Sequence, residues 1–291
     1  MCGIFGIVSN IKINDKDLKK LALHSKRRGI DSSGLVFFEK GIYKIKRSDS
    51  EIGKILKEEK WSKSKIVMGH SRLITNGLFD NQPVVRDGMF VIHNGIIVNE
   101  NDVWREINIE RKFQVDSEAI IGVALKHFQE NGDICDLSNM ILSTCQGTIS
   151  AALGIPSLGK MLLVSNNGSL YFGKKNEDIY FASERFPLVK IECNEITQIC
   201  GDGIIVEIPK SKSLDVVDYQ RERNIDLIPS FKNILAEVAA LEYPQPEIRR
   251  CTKCILPDTM PFITFDTHGV CNYCRSYKTR NTPKPKEELF N

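Results

Sequence analysis

Short runs of strand-forming residues recur through the first two-thirds of the chain, with Gly, Asn, Asp or Pro between many of them. GIFGIVS, GLVFFE, IYKIKR, KIVMGHS, MFVIHNG, TISAALGI, KMLLVSN, SLYFG, IYFAS and GIIVEI are strand-length segments rich in β-branched and aromatic residues. Punctuation of this kind ends or turns a strand. Helical spacing of apolar residues stands out in KDLKKLALHSKR and SEAIIGVALKHFQEN. Many strands and few helices argue against βαβ repeats and predict an antiparallel, layered α+β domain.

Composition sets outer limits. The 291 residues suffice for one sizeable core with a small appendage. A net charge of +3 is too small to argue for nucleic acid or an anionic membrane as partner. No apolar run approaches the roughly 20 residues that span a bilayer, and the start lacks the pattern of a signal peptide. A cytoplasmic protein is expected. The odd count of nine cysteines argues against a complete disulfide framework. Cys135, Cys145, Cys193 and Cys200 are scattered and read as small buried hydrophobes.

Cys2 stands apart. Loss of Met1 would make it the N-terminal residue, placing an α-amine beside a thiol; the thiolate is a nucleophile and the amine a base. That amine titrates at about 7.7–8.0 when unperturbed, so part of it is neutral near pH 7. An inert cysteine opening the first strand is the other reading of this position. Four further segments bear on the choice: RRGIDSSG at 27–34, GHSRLITNG at 69–77, NQPVVRDGMFVIHNGIIVN at 81–99 and VDSEAI at 115–120. Singly, these are a basic turn, a strand end, an Asn-Gly hairpin turn and a helix N-cap.

In this order behind MCGIFG, they resemble the class II glutamine amidotransferases, whose glutaminase domains are N-terminal nucleophile hydrolases. The resemblance covers roughly residues 1–210 and implies a four-layer αββα sandwich. It also implies that Cys2 attacks the amide of L-glutamine, with the Asn94 side-chain amide and the Gly95 N–H as oxyanion donors. Arg72, whose planar fork suits a carboxylate, and Thr75 would hold the substrate, and Asp116 would pair with its ammonium group. Two departures are visible. Ile30 stands where the family often has proline. Leu73 and Asn76 stand where the hexosamine-forming branch has tryptophan and histidine, which argues against glucosamine-6-phosphate synthase.

The C-terminal quarter changes character. After a glutaminase domain over residues 1–225, PSFKNILAEVAALEYPQPEIRR reads as an amphipathic helix stopped by prolines, making 226–250 a helix and linker. Residues 251–275 hold Cys251-x-x-Cys254 and Cys271-x-x-Cys274, a zinc-ribbon pattern supplying four thiolates to a structural zinc. His268 is redundant as a ligand and is left as a turn residue. Residues 276–291 form a polar tail.

CTKCILPDTMPFITFDTHGVCNYC resembles the opening signature of the N-acetyl sugar amidotransferases of surface-polysaccharide synthesis. There the segment precedes an ATP-pyrophosphatase domain. No glycine-serine loop of the SGG type occurs in this sequence, so no ATP site is expected in it. The resemblance therefore implies a glutaminase feeding ammonia to a synthetase domain or subunit that amidates an N-acetyl sugar. An asparagine-synthetase-like glutaminase is the alternative, and a non-catalytic zinc-ribbon interaction protein is a third, different class.

Overall fold

The structure is a computed structural model and describes residues 2–57, 61–74, 80–201, 203–219 and 247–277. The chain divides into two units, Met1–Arg223 and Asn224–Asn291.

The first unit contains the strands β1 (Gly3–Val8), β2 (Ser32–Glu39), β3 (Ile42–Ser48), β4 (Ile66–Arg72), β5 (Val84–Arg86), β6 (Met89–His93) and β7 (Ile96–Ile97). It continues with β8 (Gly147–Thr148), β9 (Ser150–Ile155), β10 (Lys160–Ser165), β11 (Tyr171–Lys175), β12 (Asp178–Ala182), β13 (Asn194–Gln198), β14 (Gly203–Glu207) and β15 (Leu214–Tyr219). Its helices are α1 (Asp15–Lys26), α2 (Ile52–Leu56), α3 (Glu100–Ile107), α4 (Glu118–Gln129), α5 (Leu137–Thr144) and α6 (Arg185–Lys190).

One sheet has the order β13-β11-β12-β1-β4-β2-β3-β15 and the other β14-β10-β9-β6-β5, with β7 and β8 forming a separate pair. Every neighbouring pair is antiparallel except β3 and β15. The eight-stranded sheet is therefore mixed, a correction to the antiparallel expectation. The domain is α+β.

Alternation along each strand explains where the core lies. In β1, Ile4 and Val8 enter one apolar cluster with Phe90 and Ile92 of β6 and Met161 and Leu163 of β10, so side chains of both sheets meet there. Phe5 and Ile7 point the other way, into a cluster with Leu18, Leu21 and Ala22 of α1 and Leu188 of α6. Val91 of β6 and Leu153 of β9 join a third cluster with Ile120 of α4 and Leu137 and Ile141 of α5. A strand covered on both faces reads as a continuous apolar run, as GIFGIV does.

Local chemistry sets the helix starts. Asn14 caps α1, its side-chain oxygen accepting the N–H groups of Lys16 and Asp17 at 3.0 and 3.3 Å, a contribution of about 1 kcal/mol. The second helix read from the sequence starts at Glu118, but Ser117 makes no side-chain cap. Glu118 turns inward instead. Its buried carboxylate takes Arg86 Nη1 at 2.6 Å and the N–H groups of Lys112 and Phe113, tying β5 and the preceding loop to α4.

The cysteine reading divides. Cys145 is buried and Cys193 half-buried, but Cys135, in a turn, and Cys200, in a loop after β13, are exposed. Among the described residues, no helix is long and apolar enough to cross a membrane. The amphipathic helix expected at 229–250 lies outside the described residues up to position 246, and the polar tail does so beyond Tyr277.

The described part of the second unit is small. Its chain reverses through bridges Arg250 to Pro257 and Phe265 to Cys271, followed by the short helix α7 (Asn272–Ser276).

Candidate active site and cysteine cluster

Cys2 sits directly ahead of β1, and the register Gly3↔Ser71 brings it against the end of β4, where Arg72 lies. Its thiol donates to the Leu73 carbonyl at 3.6 Å. Its own carbonyl accepts Arg28 Nε at 2.8 Å, and Arg28 is paired with Glu184 at 2.6 Å. Burial pushes the Cys2 thiol up; the Leu73 contact and the Arg72 charge oppose that, and the Asp116 charge adds to it. The charges of Arg72 and Asp116 thus both act on Cys2.

The RRGIDSSG turn supports the end of β4. A Cβ on Gly29 would stand 2.3 Å from the Arg72 carbonyl carbon and 2.4 Å from Leu73 N, so only glycine allows this approach. Asp31 N donates to the Arg72 carbonyl at 3.0 Å, and Asp31 Oδ2 accepts Ile74 N at 2.8 Å. Arg72 is buried, and its Nη1 donates to the Asp80 carbonyl. Ile30 and Leu73, the two departures from the family pattern that fall within the described residues, are exposed. Thr75 and Asn76 lie outside the described residues.

Asn94 and Gly95 follow β6 and do not form a tight hairpin. Asn94 exchanges both backbone hydrogen bonds with Ser150, at 2.8 and 3.1 Å. A Cβ on Gly95 would stand 1.8 Å from the Thr148 carbonyl oxygen. Among the described residues, no hydrogen bond engages the Gly95 N–H or the Asn94 side-chain amide. Asp116, also buried, accepts Ile97 N at 2.8 Å.

Sequence reasoning missed the buried polar group beneath this segment. His93 Nδ1 lies 3.1 Å from Ser117 Oγ and Nε2 3.3 Å from the Thr148 carbonyl; Gln82 spans His93 N at 2.6 Å and Ser117 Oγ at 3.0 Å. Burial pushes His93 down, against Asp116 and Thr148, which pull it up. Gln82 and His93 stood in quoted motifs, but nothing local shows that residues 82, 93 and 117 converge. His70 is fully buried, and burial, aided by Arg72 and His93 and opposed by a backbone contact at His93, pushes it down to about 3.

In the second unit the sulfurs of Cys251, Cys254, Cys271 and Cys274 all lie within 4.8 Å of one another. Cys251 and Cys274 are 4.0 Å apart and Cys254 and Cys271 3.6 Å, far beyond a disulfide at about 2.05 Å. Four thiolates at about 2.3 Å around a tetrahedral ion stand about 3.8 Å from one another, so the group fits zinc. Backbone N–H groups of Lys253 and Cys271 point at the Cys251 sulfur, at 3.4 and 3.2 Å. Burial opposes ionisation of Cys251, yet these N–H groups and that of Cys254 bring it down to about 6. His268 occupies a turn, its N–H on Asp266 Oδ1 at 2.9 Å.

Residues 70–190 match the family model described as a glutamine amidotransferase domain. A glutamine--fructose-6-phosphate aminotransferase of Rhizobium leguminosarum is 28% identical over 242 residues, covering 78% of this chain and 39% of that protein. A 7-cyano-7-deazaguanine synthase of Sulfolobus acidocaldarius is 26% identical over 241 residues, 73% of this chain and 51% of that protein. The chain thus spans from about two-fifths to half of these relatives. The glutamine phosphoribosylpyrophosphate amidotransferase of B. subtilis shares the fold with a TM-score of 0.57 at 21% identity, covering 71% of this chain and 47% of that one. The differences at Leu73 and Asn76 thus sit within a broader similarity to a sugar-phosphate aminotransferase. Residues 70–190 of the chain thus match a glutamine amidotransferase domain, and the first unit shares its fold with an amidotransferase.

Proposed function

We propose that this chain is a glutaminase that releases ammonia from L-glutamine for an ATP-dependent amidation. The observation that carries the reading is the convergence on Cys2: its thiol lies at the junction of β1 and β4, within the fields of Arg72 and Asp116. Three apolar clusters, with α1 and α6 at one end of the series, α4 and α5 at the other and two sheets between, support the four-layer αββα arrangement.

In the proposed reaction Met1 is removed, and the α-amine of Cys2 takes the thiol proton as the sulfur attacks the glutamine amide carbon. Arg72 receives the substrate carboxylate and Asp116 its ammonium group, with Thr75 as a further substrate contact. The Asn94 side-chain amide and Gly95 N–H stabilise the oxyanion; one such donor is worth about 2.7–4 kcal/mol in a protease. Collapse of the tetrahedral intermediate breaks the C–N bond, ammonia leaves with the transferred proton, and water hydrolyses the thioester to glutamate. Burial of the Cys2 thiol favours its neutral form, so attack depends on the adjacent amine.

Cys251, Cys254, Cys271 and Cys274 would hold a structural zinc, because protein sulfurs occupy all four tetrahedral positions. Reduced cysteines throughout suit a cytoplasmic location. The acceptor we propose is an N-acetyl sugar on a partner synthetase domain or subunit, a reading that rests on the cysteine segment.

The test is mass spectrometry after exposure to a diazo-ketone analogue of glutamine. An N-terminal peptide lacking Met1 with the adduct on Cys2 is expected. A chain that has lost Met1, stays unlabelled with or without a synthetase partner and turns over no glutamine would sink the reading.

A further inference from the structure

The segment that carries Asn94 and Gly95 is held from below by a closed ring of hydrogen bonds whose polarity can be worked out. The backbone N–H of His93 can only donate, so the Gln82 oxygen faces it at 2.6 Å. That places the Gln82 amide nitrogen against Ser117 Oγ, 3.0 Å away, as donor. The Thr148 carbonyl can only accept, so His93 carries its proton on Nε2, 3.3 Å from that oxygen. Nδ1 is then a lone pair, and the Ser117 hydroxyl donates to it across 3.1 Å. Gln82, Ser117 and His93 thus hydrogen-bond in a circle, each buried, and unmade hydrogen bonds in such a place are costly.

The ring touches the reacting segment on both sides. His93 precedes Asn94 in the chain, and the Thr148 carbonyl that its ring holds is the surface against which Gly95 lies. Ser117 follows Asp116, whose Oδ2 fixes the N–H of Ile97 just beyond Gly95. Asp116 Oδ1, 3.4 Å from Ser117 Oγ, is a second acceptor for the one hydroxyl proton, which the shorter 3.1 Å contact to His93 Nδ1 takes.

We propose that Gln82, His93 and Ser117 are positioning residues that set the Asn94 and Gly95 donors for the transition state and tie them to the ammonium-binding carboxylate of Asp116. This rests on the glutaminase reading. The ring touches neither substrate nor nucleophile, so its loss acts on orientation. Orientation appears in kcat more than in KM, because the donors tighten on the oxyanion and not on the bound amide.

The experiment measures kcat and KM for glutamine hydrolysis, with melting temperature, in the wild type, Gln82→Met, Ser117→Ala and the double variant. Each single change is expected to lower kcat about tenfold, short of the 10²–10³ for deleting a donor, with KM within about twofold. Because either change opens the same ring, the double variant should be no slower than the poorer single one. Unchanged kcat in folded variants, a loss confined to KM, or losses that multiply would overturn the inference while leaving the glutaminase reading intact. A wild type without turnover or analogue labelling would overturn both. A check independent of the Gln82 and Ser117 variants is the ¹⁵N spectrum of histidine-labelled wild type, with His93 assigned by comparison with His93→Asn. A neutral ring protonated on Nε2 supports the proposal, and protonation on Nδ1 overturns it.

Discussion

At the residue scale, Gly95 is the most constrained position of the candidate site. A methyl group there would overlap the Thr148 carbonyl oxygen and come within 2.6 Å of His93 Nε2. Gly95→Ala should therefore push the oxyanion segment off Thr148, lowering glutamine turnover at least about 10²-fold. Activity within tenfold of the wild type would show that Gly95 N–H is not a donor. His70 makes a second prediction. Its folded value of about 3 lies below the ordinary 6.5, so the unfolded chain binds the extra proton between those values. The linked stability is fully present above pH 6.5 and is lost as pH falls toward 3, with a slope of up to about 1.4 kcal/mol per pH unit. Urea unfolding from pH 7 to 4 checks this; His70→Leu should flatten the slope, and an equal slope in both would count against a neutral buried ring. Cys2, Arg72, Asn94, Gly95 and Asp116 stood out as candidates through the order of their motifs behind MCGIFG and the resemblance that this order carries. Gln82, His93 and Ser117 could not be picked out as a group, since they meet only once β6 and the start of α4 are folded together.

At the scale of elements, the sequence was most readable where local preference and burial agree. The runs GIFGIV and KMLLVS are strands by composition and are covered on both faces. β5, β13 and β15 gave no such signal. β15 exists through its parallel pairing with β3, more than 160 residues earlier, as in Val216↔Ile45, and no local window contains that partner. Taken alone, the Asn94-Gly95 dipeptide favours a tight turn, but Ser150 holds Asn94 from across the sheet. The central strands also depend on missing side chains. Gly6 of β1 leaves room for the Phe181 ring, 2.3 Å from where its Cβ would stand, and Gly69 of β4 does the same for Phe5. Gly6→Ala adds volume to a close-packed layer and should cost about 1–3 kcal/mol, read as a lower denaturant midpoint with an unchanged slope. A neutral result would mean that the ring at Phe181 shifts freely.

At the scale of the whole molecule, the two units were legible for different reasons. The first needed five scattered motifs in one order, and its layering follows from strands that place alternate residues in different clusters. The second was legible from spacing alone. Two residues between paired cysteines let each pair face one point, and the observed separations of 3.6 and 4.0 Å bracket the value for a tetrahedral site. The reactivity of the nine thiols tests both readings in one preparation. Cys135 and Cys200, exposed and outside the cluster, should react with a disulfide reagent at once. Cys251, Cys254, Cys271 and Cys274 should resist while metal is bound and react together after a strong chelator, with release of about one zinc per chain. Binding free energy of about 10–16 kcal/mol for structural zinc in small peptides is large enough to organise so short a segment. Chelation should accordingly speed amide exchange across residues 247–277. A chain that holds no zinc and whose cluster cysteines react as fast as Cys200 would remove the metal, leaving four close thiols with backbone N–H groups on the sulfurs of Cys251 and Cys271.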